Sequence, residues 1–209
     1  ANKFLDLFIE IIGKRGTLIL NAFNWDFCKG KDFDVLKSPA RTGSLSNIAL
    51  KRNDFLRSKN PIYSFVCCGY HAEEISLMEH DSCFGFKSPF GFMIDKNTKN
   101  LFINLDYKKS GFTFLHVAEE YQKINYRFFK EFKGNIIKEN SKKEVVVKMF
   151  VRNLETKTKA KILETMDEEL IKKNAMEKFK INQFNLSTIN LKKTFEIFKN
   201  ELVKKKHIE

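Results

Sequence analysis

The stretch "TLILNAF" (residues 17–23) is a short, continuous apolar run that directly follows a glycine. Its length and its boundary are typical of a strand buried in a sheet rather than of a helix. A second apolar run, "PIYSFVCCG" (61–69), predicts another such strand, and "EVVVKMFV" (144–151) predicts a later one. Strands of this kind need other layers to cover them, so these runs indicate a sheet packed against helices.

Outward from these strands, helical segments alternate with them along the chain. Residues 2–12 place Phe4, Leu5 and Phe8 at helical spacing, and Gly13 supplies the stop. Further helices are predicted at 44–58, 70–81, 114–132 and in the Lys-rich segment that contains Leu191, Phe195, Phe198 and Leu202. Residues 91–107 predict two strands of a hairpin across "DKNTKN". The fold class predicted is α/β, with a mixed β-sheet sandwiched by helices.

The 209 residues are enough for one domain with a substantial core. We therefore predict a single α/β domain over residues 1–209, with a Lys-rich helical C-terminal part from about residue 152. No apolar run approaches the ~20 residues of a membrane-spanning helix. The first segment carries Asp6 and Glu10, which favours an amphipathic helix over a signal peptide.

The four cysteines argue against both a disulfide framework and a zinc site. Cys67 and Cys68 are adjacent within an apolar run, which is typical of buried free thiols in the reducing cytoplasm. No Cys-x-x-Cys pair is present, and the spacing of His71 and His80 matches no metal motif. We predict no bound metal.

The formal net charge of +12 has two interpretations. It suits a protein that binds nucleic acid or another anion. It equally suits a Lys-rich surface in which the charges lie on solvated helix faces. Charge alone therefore leaves a non-enzymatic nucleic-acid-binding domain open.

The segment "TFLHVAEE" (113–120) predicts a helix start that carries a histidine. With Thr113 as N-cap, His116 falls in the first turn, where the helix dipole favours a neutral imidazole that can accept a proton. Glu119 and Glu120 follow at i+3 and i+4, where either could orient the ring as an acid orients a base. Spacing alone also fits a capping histidine beside two surface glutamates.

A long polar segment, residues 24–43, precedes the helix predicted at 44–58. Loops of this length in compact domains usually have a function. Hydroxyls and free N–H groups around this helix start could hold a phosphate or carbonyl oxygen, or could be plain loop and cap chemistry. Arg57 and Ser58 could add a charge and a hydroxyl, and "CFGFKSPFGF" (83–92) could line a ligand slot or be core. Phosphate-loop and dinucleotide fingerprints are missing from the sequence.

Five segments in order resemble the aminoglycoside 3-N-acetyltransferase family of antibiotic N-acetyltransferases. They are "GTLILNAFNWDFC", "FDVLKSPARTGSLSNIALKR", "FLRSKNPIYSFVCCG", "SCFGFKSPFG" and "TFLHVAEEY". The resemblance covers residues 16–120 well and is faint beyond them. It implies an α/β sandwich, acetyl-CoA as the acetyl donor and the amine of a sugar as the acceptor.

Carried over by position, the resemblance implies His116 as general base and Glu119, rather than Glu120, as its orienting partner. His71 is a further catalytic candidate that could face the cleft. The coenzyme side is implied for Ser38, Thr42, Gly43, Arg57, Ser58, Ser64 and Phe65. Family members carry a preceding His-Ser-Ser-like segment that helps hold the coenzyme. The chain begins too late to contain it, so we expect either that the sequence is truncated at its N-terminus or that the chain lacks part of the coenzyme site.

The function predicted is direct acetyl transfer from acetyl-CoA to an amino sugar in the cytoplasm. Aminoglycosides are polycations, whereas nucleotide-linked sugars are anionic. The charge of +12 therefore favours an amino sugar of a surface polysaccharide or its nucleotide-sugar precursor over an antibiotic. Two alternatives stand beside it, namely the nucleic-acid-binding domain and a family member that has lost catalysis.

Overall fold

The computed structural model describes residues 1–109, 112–139, 141–156 and 166–206. These residues divide into two compact units. The first unit comprises Ala1–Cys83, Lys87–Pro89 and Lys130–Met149. The second comprises Phe84–Phe86, Phe90–Phe129 and the described part of Phe150–Glu209. The single domain over residues 1–209 stays a prediction.

The first unit opens with helix α1 and the first strand. Its elements are α1 (Asn2–Ile12), β1 (Thr17–Asn21), a 3₁₀ turn (Phe27–Lys29), β2 (Phe33–Asp34), α2 (Ser44–Ala49), β3 (Leu56–Arg57), β4 (Phe65–Gly69) and α3 (Ala72–Leu77). Strands β1, β4 and β3 form one antiparallel sheet in that order, with Ile19 opposite Cys67. The helix at 2–12 and the strands predicted at 17–23 and 61–69 are confirmed, the strands with shorter bounds.

Helix α1 buries Leu5 in an apolar core that includes Ala22, Phe55 and Val66. At the edge of this core, Gly69 has φ +109, and a Cβ there would lie 2.3 Å from the carbonyl oxygen of Gly16. Only glycine allows the two backbones to approach so closely. Cys67 and Cys68 are buried without a disulfide, as predicted.

A second sheet has the order β2-β6-β7, with β6 spanning Arg127–Lys138 and β7 spanning Ser141–Arg152. The short strand β2 pairs parallel with β6, with Phe33 opposite Ile136. Parallel and antiparallel pairings therefore both occur, and the predicted mixed α/β character is confirmed. Strand β7 confirms the run predicted at 144–151.

The helix predicted at 114–132 is wrong in its second half. Helix α5 spans Leu115–Tyr121, and β6 begins at Arg127. Lys123 adopts φ +46, a left-handed conformation that interrupts a helix. The Phe-rich segment that follows then pairs as a strand instead of extending the helical turns.

The second unit carries helix α4 (Pro89–Asp95), β5 (Lys99–Ile103), α5, α6 (Asp167–Lys172), β8 (Met176–Ile181), β9 (Phe184–Asn190) and α7 (Leu191–Lys206). Its antiparallel sheet has the order β5-β9-β8. The hairpin predicted at 91–107 is wrong, because its first half is α4 and β5 pairs with β9. The prediction of a helical C-terminal part is wrong for residues 176–190, where β8 and β9 form a hairpin. It is confirmed for α7.

Aromatic side chains fill the core of the second unit. The Phe112 ring lies 5.7 Å from that of Phe102, 5.8 Å from Tyr107 and 6.2 Å from Phe198, all in tilted or edge-on geometry. Such offset contacts favour a dense core under α5 and α7. Across the part of the chain that the structure describes, no helix has the length and apolarity to cross a membrane.

Candidate functional site

Helix α5 presents His116 from its first turn. The N-cap is Phe114, and the N–H of His116 bonds to the Thr113 carbonyl at 3.0 Å. Thr113 is therefore one residue before the cap rather than the cap predicted for it. Leu115, Val117, Ala118 and Glu119 are buried, whereas the His116 side chain keeps 26% of its surface exposed. The helix thus anchors three apolar side chains and one acid while its histidine reaches solvent.

The structure brings His116 and Glu119 together. The imidazole Nδ1 lies 2.6 Å from Glu119 Oε2. The Glu119 side chain is 4% exposed, and Tyr126 donates its hydroxyl proton to the other carboxylate oxygen at 2.9 Å. Two partners on opposite oxygens hold the carboxylate in one orientation.

The environment keeps Glu119 ionised in spite of its burial. Burial alone would raise the pKa of this carboxyl group. The hydrogen bond and charge of His116, the charge of Arg127 and the hydroxyl of Tyr126 more than offset it, so the pKa lies below its ordinary value. An ionised Glu119 can accept a hydrogen bond from an N–H at Nδ1, and a neutral ring with its proton on that nitrogen carries its lone pair on Nε2.

Arg127 is a part of this cluster that the sequence reasoning missed. Its Nε lies 2.8 Å from Glu119 Oε2, and its Nη2 lies 3.5 Å from His116 Nε2. Its Nη1 donates to the carbonyl of Phe150 at 3.0 Å. The helix predicted over 114–132 would carry Arg127 away from His116. In the structure, α5 ends at Tyr121, and the turn that follows brings Arg127 back to His116.

Aromatic rings border α5 along the segment Phe84–Phe86. Phe84 is buried and meets the His116 ring edge-on at 5.2 Å between centroids. Phe86 and Tyr121 are about half exposed, with centroids 5.4 Å apart. The "CFGFKSPFGF" segment therefore supplies one core ring beside the histidine and one ring that reaches solvent.

Among the residues predicted for the coenzyme, Arg57 is buried. Its Nε donates to Ser64 Oγ at 3.0 Å and its Nη2 donates to the Ala22 carbonyl at 2.9 Å. Its Nη1 donates to the Ser38 carbonyl, and its guanidinium lies over the Phe33 ring at 4.6 Å. Burial lowers the pKa of Arg57 to about 10. The guanidinium thus ties the segment around Ser38 to the end of β1.

The other coenzyme candidates divide by burial within the first unit. Ser58, Ser64 and Phe65 are buried, and Ser58 Oγ accepts the N–H of Phe65 at 2.9 Å. Thr42 and Gly43 are exposed in the segment before α2, where Thr42 Oγ1 donates to the Asn21 carbonyl at 2.7 Å. The first group builds the strand framework, and the second group faces solvent.

His71 pairs with a different acid in the first unit. Its Nδ1 lies 2.8 Å from Glu74 Oε2, and its backbone N–H bonds to Thr17 Oγ1 at 2.9 Å. His80 instead contacts Asn60, with its Nε2 2.7 Å from the side-chain nitrogen Nδ2 of that residue. Within the described ranges, no cluster of His, Cys, Asp and Glu side chains has the geometry of a metal site.

Solved structures share this fold over almost the whole chain. AAC-IIIb in its binary complex with CoASH matches with a TM-score of 0.81 and 17% identity, covering 98% of this chain and 83% of its own. The YokD protein from Bacillus subtilis matches with a TM-score of 0.77 and 16% identity, over 98% and 81%. Sisomicin-bound AAC-VIa matches with a TM-score of 0.77 and 15% identity, over 98% and 85%.

The class follows from these observations together with a family model. By class the chain is an N-acetyltransferase that uses acetyl-CoA. The family model described as aminoglycoside 3-N-acetyltransferase matches residues 1–202, and the chain belongs to that family. No curated protein matches the chain significantly. The family match confirms the predicted enzyme class and gives no support to a non-enzymatic nucleic-acid-binding domain.

Proposed function

We propose that this protein transfers the acetyl group of acetyl-CoA to the amine of an amino sugar, with His116 as general base. The observation that carries the proposal is the 2.6 Å contact between His116 Nδ1 and the buried Glu119 carboxylate. A general base must be neutral, correctly oriented and within reach of the reacting proton. The contact with Glu119 provides the orientation, and the His116 side chain keeps 26% of its surface exposed, which supports access of an acceptor to the ring.

The reaction proceeds by direct transfer. His116 Nε2 takes a proton from the acceptor amine as the nitrogen attacks the thioester carbonyl. The tetrahedral intermediate collapses, the carbon–sulfur bond breaks, and the proton on His116 passes to the departing thiolate. Glu119 remains ionised throughout and offsets the charge of the transient imidazolium, as the acid of a catalytic triad does.

The acceptor we propose is an amino sugar of a surface polysaccharide or its nucleotide-linked precursor, in preference to an aminoglycoside. The net charge of +12 supports it, because a basic protein attracts an anionic acceptor and disfavours a polycation. Sisomicin is bound by the relative AAC-VIa, so antibiotic acetylation is the direct competitor. The free cysteines suit the cytoplasm, where we propose that the reaction takes place.

A thiol-release assay tests both parts of the proposal. Acetyl-CoA is incubated with the protein and with sisomicin, a nucleotide-linked amino sugar or a free amino sugar. We expect turnover with the nucleotide-linked sugar and at least a hundredfold loss in His116→Ala. Efficient acetylation of sisomicin without any of the nucleotide-linked sugar would reverse the acceptor preference. Near-wild-type turnover in His116→Ala would refute the assignment of the base.

A further inference from the structure

We propose that Arg127 is a positioning residue for the base. It holds the Glu119 carboxylate in place and keeps the proton of His116 on Nδ1, so that Nε2 is the nitrogen that accepts the proton of the acceptor. This inference rests on the proposed function of His116. It concerns a residue on β6, outside the helix that carries the histidine and the acid.

The guanidinium of Arg127 touches three groups of the cluster at once. Nε is 2.8 Å from Glu119 Oε2, the same oxygen that faces His116 Nδ1. Nη1 donates to the Phe150 carbonyl on β7 at 3.0 Å, which fixes the plane of the group. Nη2 comes within 3.5 Å of His116 Nε2. A planar fork with this reach constrains both side chains together, which a lysine ammonium cannot do.

The contact with Glu119 acts mainly through charge. The N–H at Arg127 Nε does not point at the carboxylate well enough for a hydrogen bond, although the two atoms are 2.8 Å apart. The Arg127 side chain is 13% exposed and that of Glu119 is 4% exposed, so water screens the pair poorly. A charge at this distance in such a site has a large effect on where nearby protons reside.

This charge works against protonation of His116. A buried carboxylate next to an imidazole favours the imidazolium, which cannot act as a base. The cation of Arg127 compensates the Glu119 charge and also lies beside Nε2, where a second positive charge is unfavourable. Arg127 therefore lets Glu119 orient the ring without holding a proton on Nε2.

The neighbours of His116 with described contacts differ from Arg127 in charge or in position. Tyr126 donates to the far oxygen of Glu119 at 2.9 Å, and Phe84 offers an uncharged ring. On α7, which packs along α5, Lys199 lies over the Tyr121 ring at 5.9 Å, at the opposite end of α5. Among the contacts described for the ring, the charged ones are those to Glu119 and Arg127.

The first test is the pH dependence of kcat/KM for thiol release. In Arg127→Met we expect the acid limb of the profile to move up by about one pH unit, because the Glu119 charge is no longer compensated. At neutral pH we expect a loss of about tenfold or more in kcat/KM, mostly in kcat. Arg152→Met is the matched control, since Arg152 is exposed on β7, and we expect an unchanged profile.

The second test uses the resting protein, so that it does not depend on turnover. ¹⁵N NMR of the imidazoles, with His116 assigned by its loss in His116→Ala, reports the protonation of Nδ1 and Nε2. We expect Nε2 to become protonated at a higher pH in Arg127→Met than in the wild type, because the Glu119 charge is no longer compensated. If the wild type shows no acetyl transfer but this NMR difference is present, the proposed function fails and the role of Arg127 stands.

The overturning results are equally specific. Identical NMR titrations of His116 in the wild type and Arg127→Met would refute the inference, whatever the activity. If Arg127→Met does not fold, Arg127→Lys replaces it, because the ammonium keeps the charge but cannot span Glu119 and His116. We expect the acid limb to stay near that of the wild type, because the charge is kept, and kcat/KM to fall, because the ammonium does not span both side chains; a wild-type kcat/KM in this variant would overturn the proposal.

Discussion

Two histidine–glutamate pairs in this protein share a spacing and differ in one respect. His71–Glu74 in the first unit and His116–Glu119 in the second are both i,i+3 pairs, with Nδ1 to Oε2 distances of 2.8 and 2.6 Å. Both histidine side chains are 26% exposed. The glutamates are not alike, because the Glu74 side chain is 55% exposed and that of Glu119 is 4% exposed.

The two pairs therefore differ in the burial of the glutamate and not in the exposure of the histidine. Water competes for an exposed carboxylate such as Glu74, so its contact with a histidine is loose and worth little. Glu119 is surrounded by Tyr126 and Arg127, which fix both of its oxygens. A catalytic base needs an orienting partner that does not move, and only the second pair is built in this way.

The largest effect that sharpens this comparison is expected from the two acids. Glu119→Gln removes the charge that stabilises the imidazolium in the transition state, so we expect kcat to fall by about ten- to a hundredfold. Glu74→Gln should change kcat less than twofold, since its carboxylate is mostly in water. Steady-state thiol release from acetyl-CoA measures both variants, and equal losses in the two would break the distinction.

The same contrast between buried and exposed polar groups predicts a loss of stability at Arg57. Arg57→Leu removes the Arg57 donor from Ser64 Oγ and from the Ser38 carbonyl, and it leaves the Ala22 carbonyl with the Ser64 hydroxyl as donor. Because buried acceptors without partners are costly, we expect the free energy of unfolding to fall by about 2–4 kcal/mol. Urea unfolding measures it, with the exposed Arg41→Leu as control. An Arg57→Leu variant as stable as that control would contradict the prediction.

The pH dependence of stability should include a contribution from Glu119. The pKa of Glu119 lies below its ordinary value of 4.5 in the folded state. Its contribution is therefore complete above pH 4.5 and is lost as the pH falls toward the folded-state pKa, with a slope of at most about 1.4 kcal/mol per pH unit. Urea unfolding at several pH values should show a shallower loss on acidification in Glu119→Gln than in the wild type. A wild-type slope in that variant would contradict the assignment.

The smallest effect is expected for the stability of the exposed pair. Glu74→Ala removes a contact that solvent screens, so the free energy of unfolding should change by less than about 1 kcal/mol. Thermal unfolding of this variant beside Glu119→Ala measures the contrast, and the second variant should be the less stable. If Glu74→Ala were the less stable variant, the exposure of the glutamate would not determine how much each pair contributes to the free energy of unfolding.

Local patterns predicted the elements whose partners are near in sequence or whose burial is complete. The apolar runs of β1 and β4 and the periodicity of α1 are visible without any tertiary information. So is the placement of His116 three residues before Glu119. Even the choice of Glu119 over Glu120 needed the resemblance to a family, because spacing treats the two acids alike.

The misses lie where a distant partner decides the structure. Strand β9 pairs with β5, about 85 residues away. The local sequence of β9 does not indicate this pairing. The sequence pattern places Arg127 within a helix, because it does not indicate the left-handed conformation of Lys123 that ends the helical turns before the Phe-rich segment. The contact of Arg127 with His116 and Glu119 therefore depends on the turn between α5 and β6 rather than on any sequence motif.

The role proposed for His116 is measured by thiol release from acetyl-CoA in His116→Ala and His71→Ala, assayed side by side. Thermal stabilisation of both variants by acetyl-CoA, equal to that of the wild type, establishes that both bind the coenzyme. We expect at least a hundredfold loss of turnover in His116→Ala and less than about a threefold loss in His71→Ala. A folded, coenzyme-binding His116→Ala that turns over like the wild type, or a His71→Ala that loses as much, would contradict it.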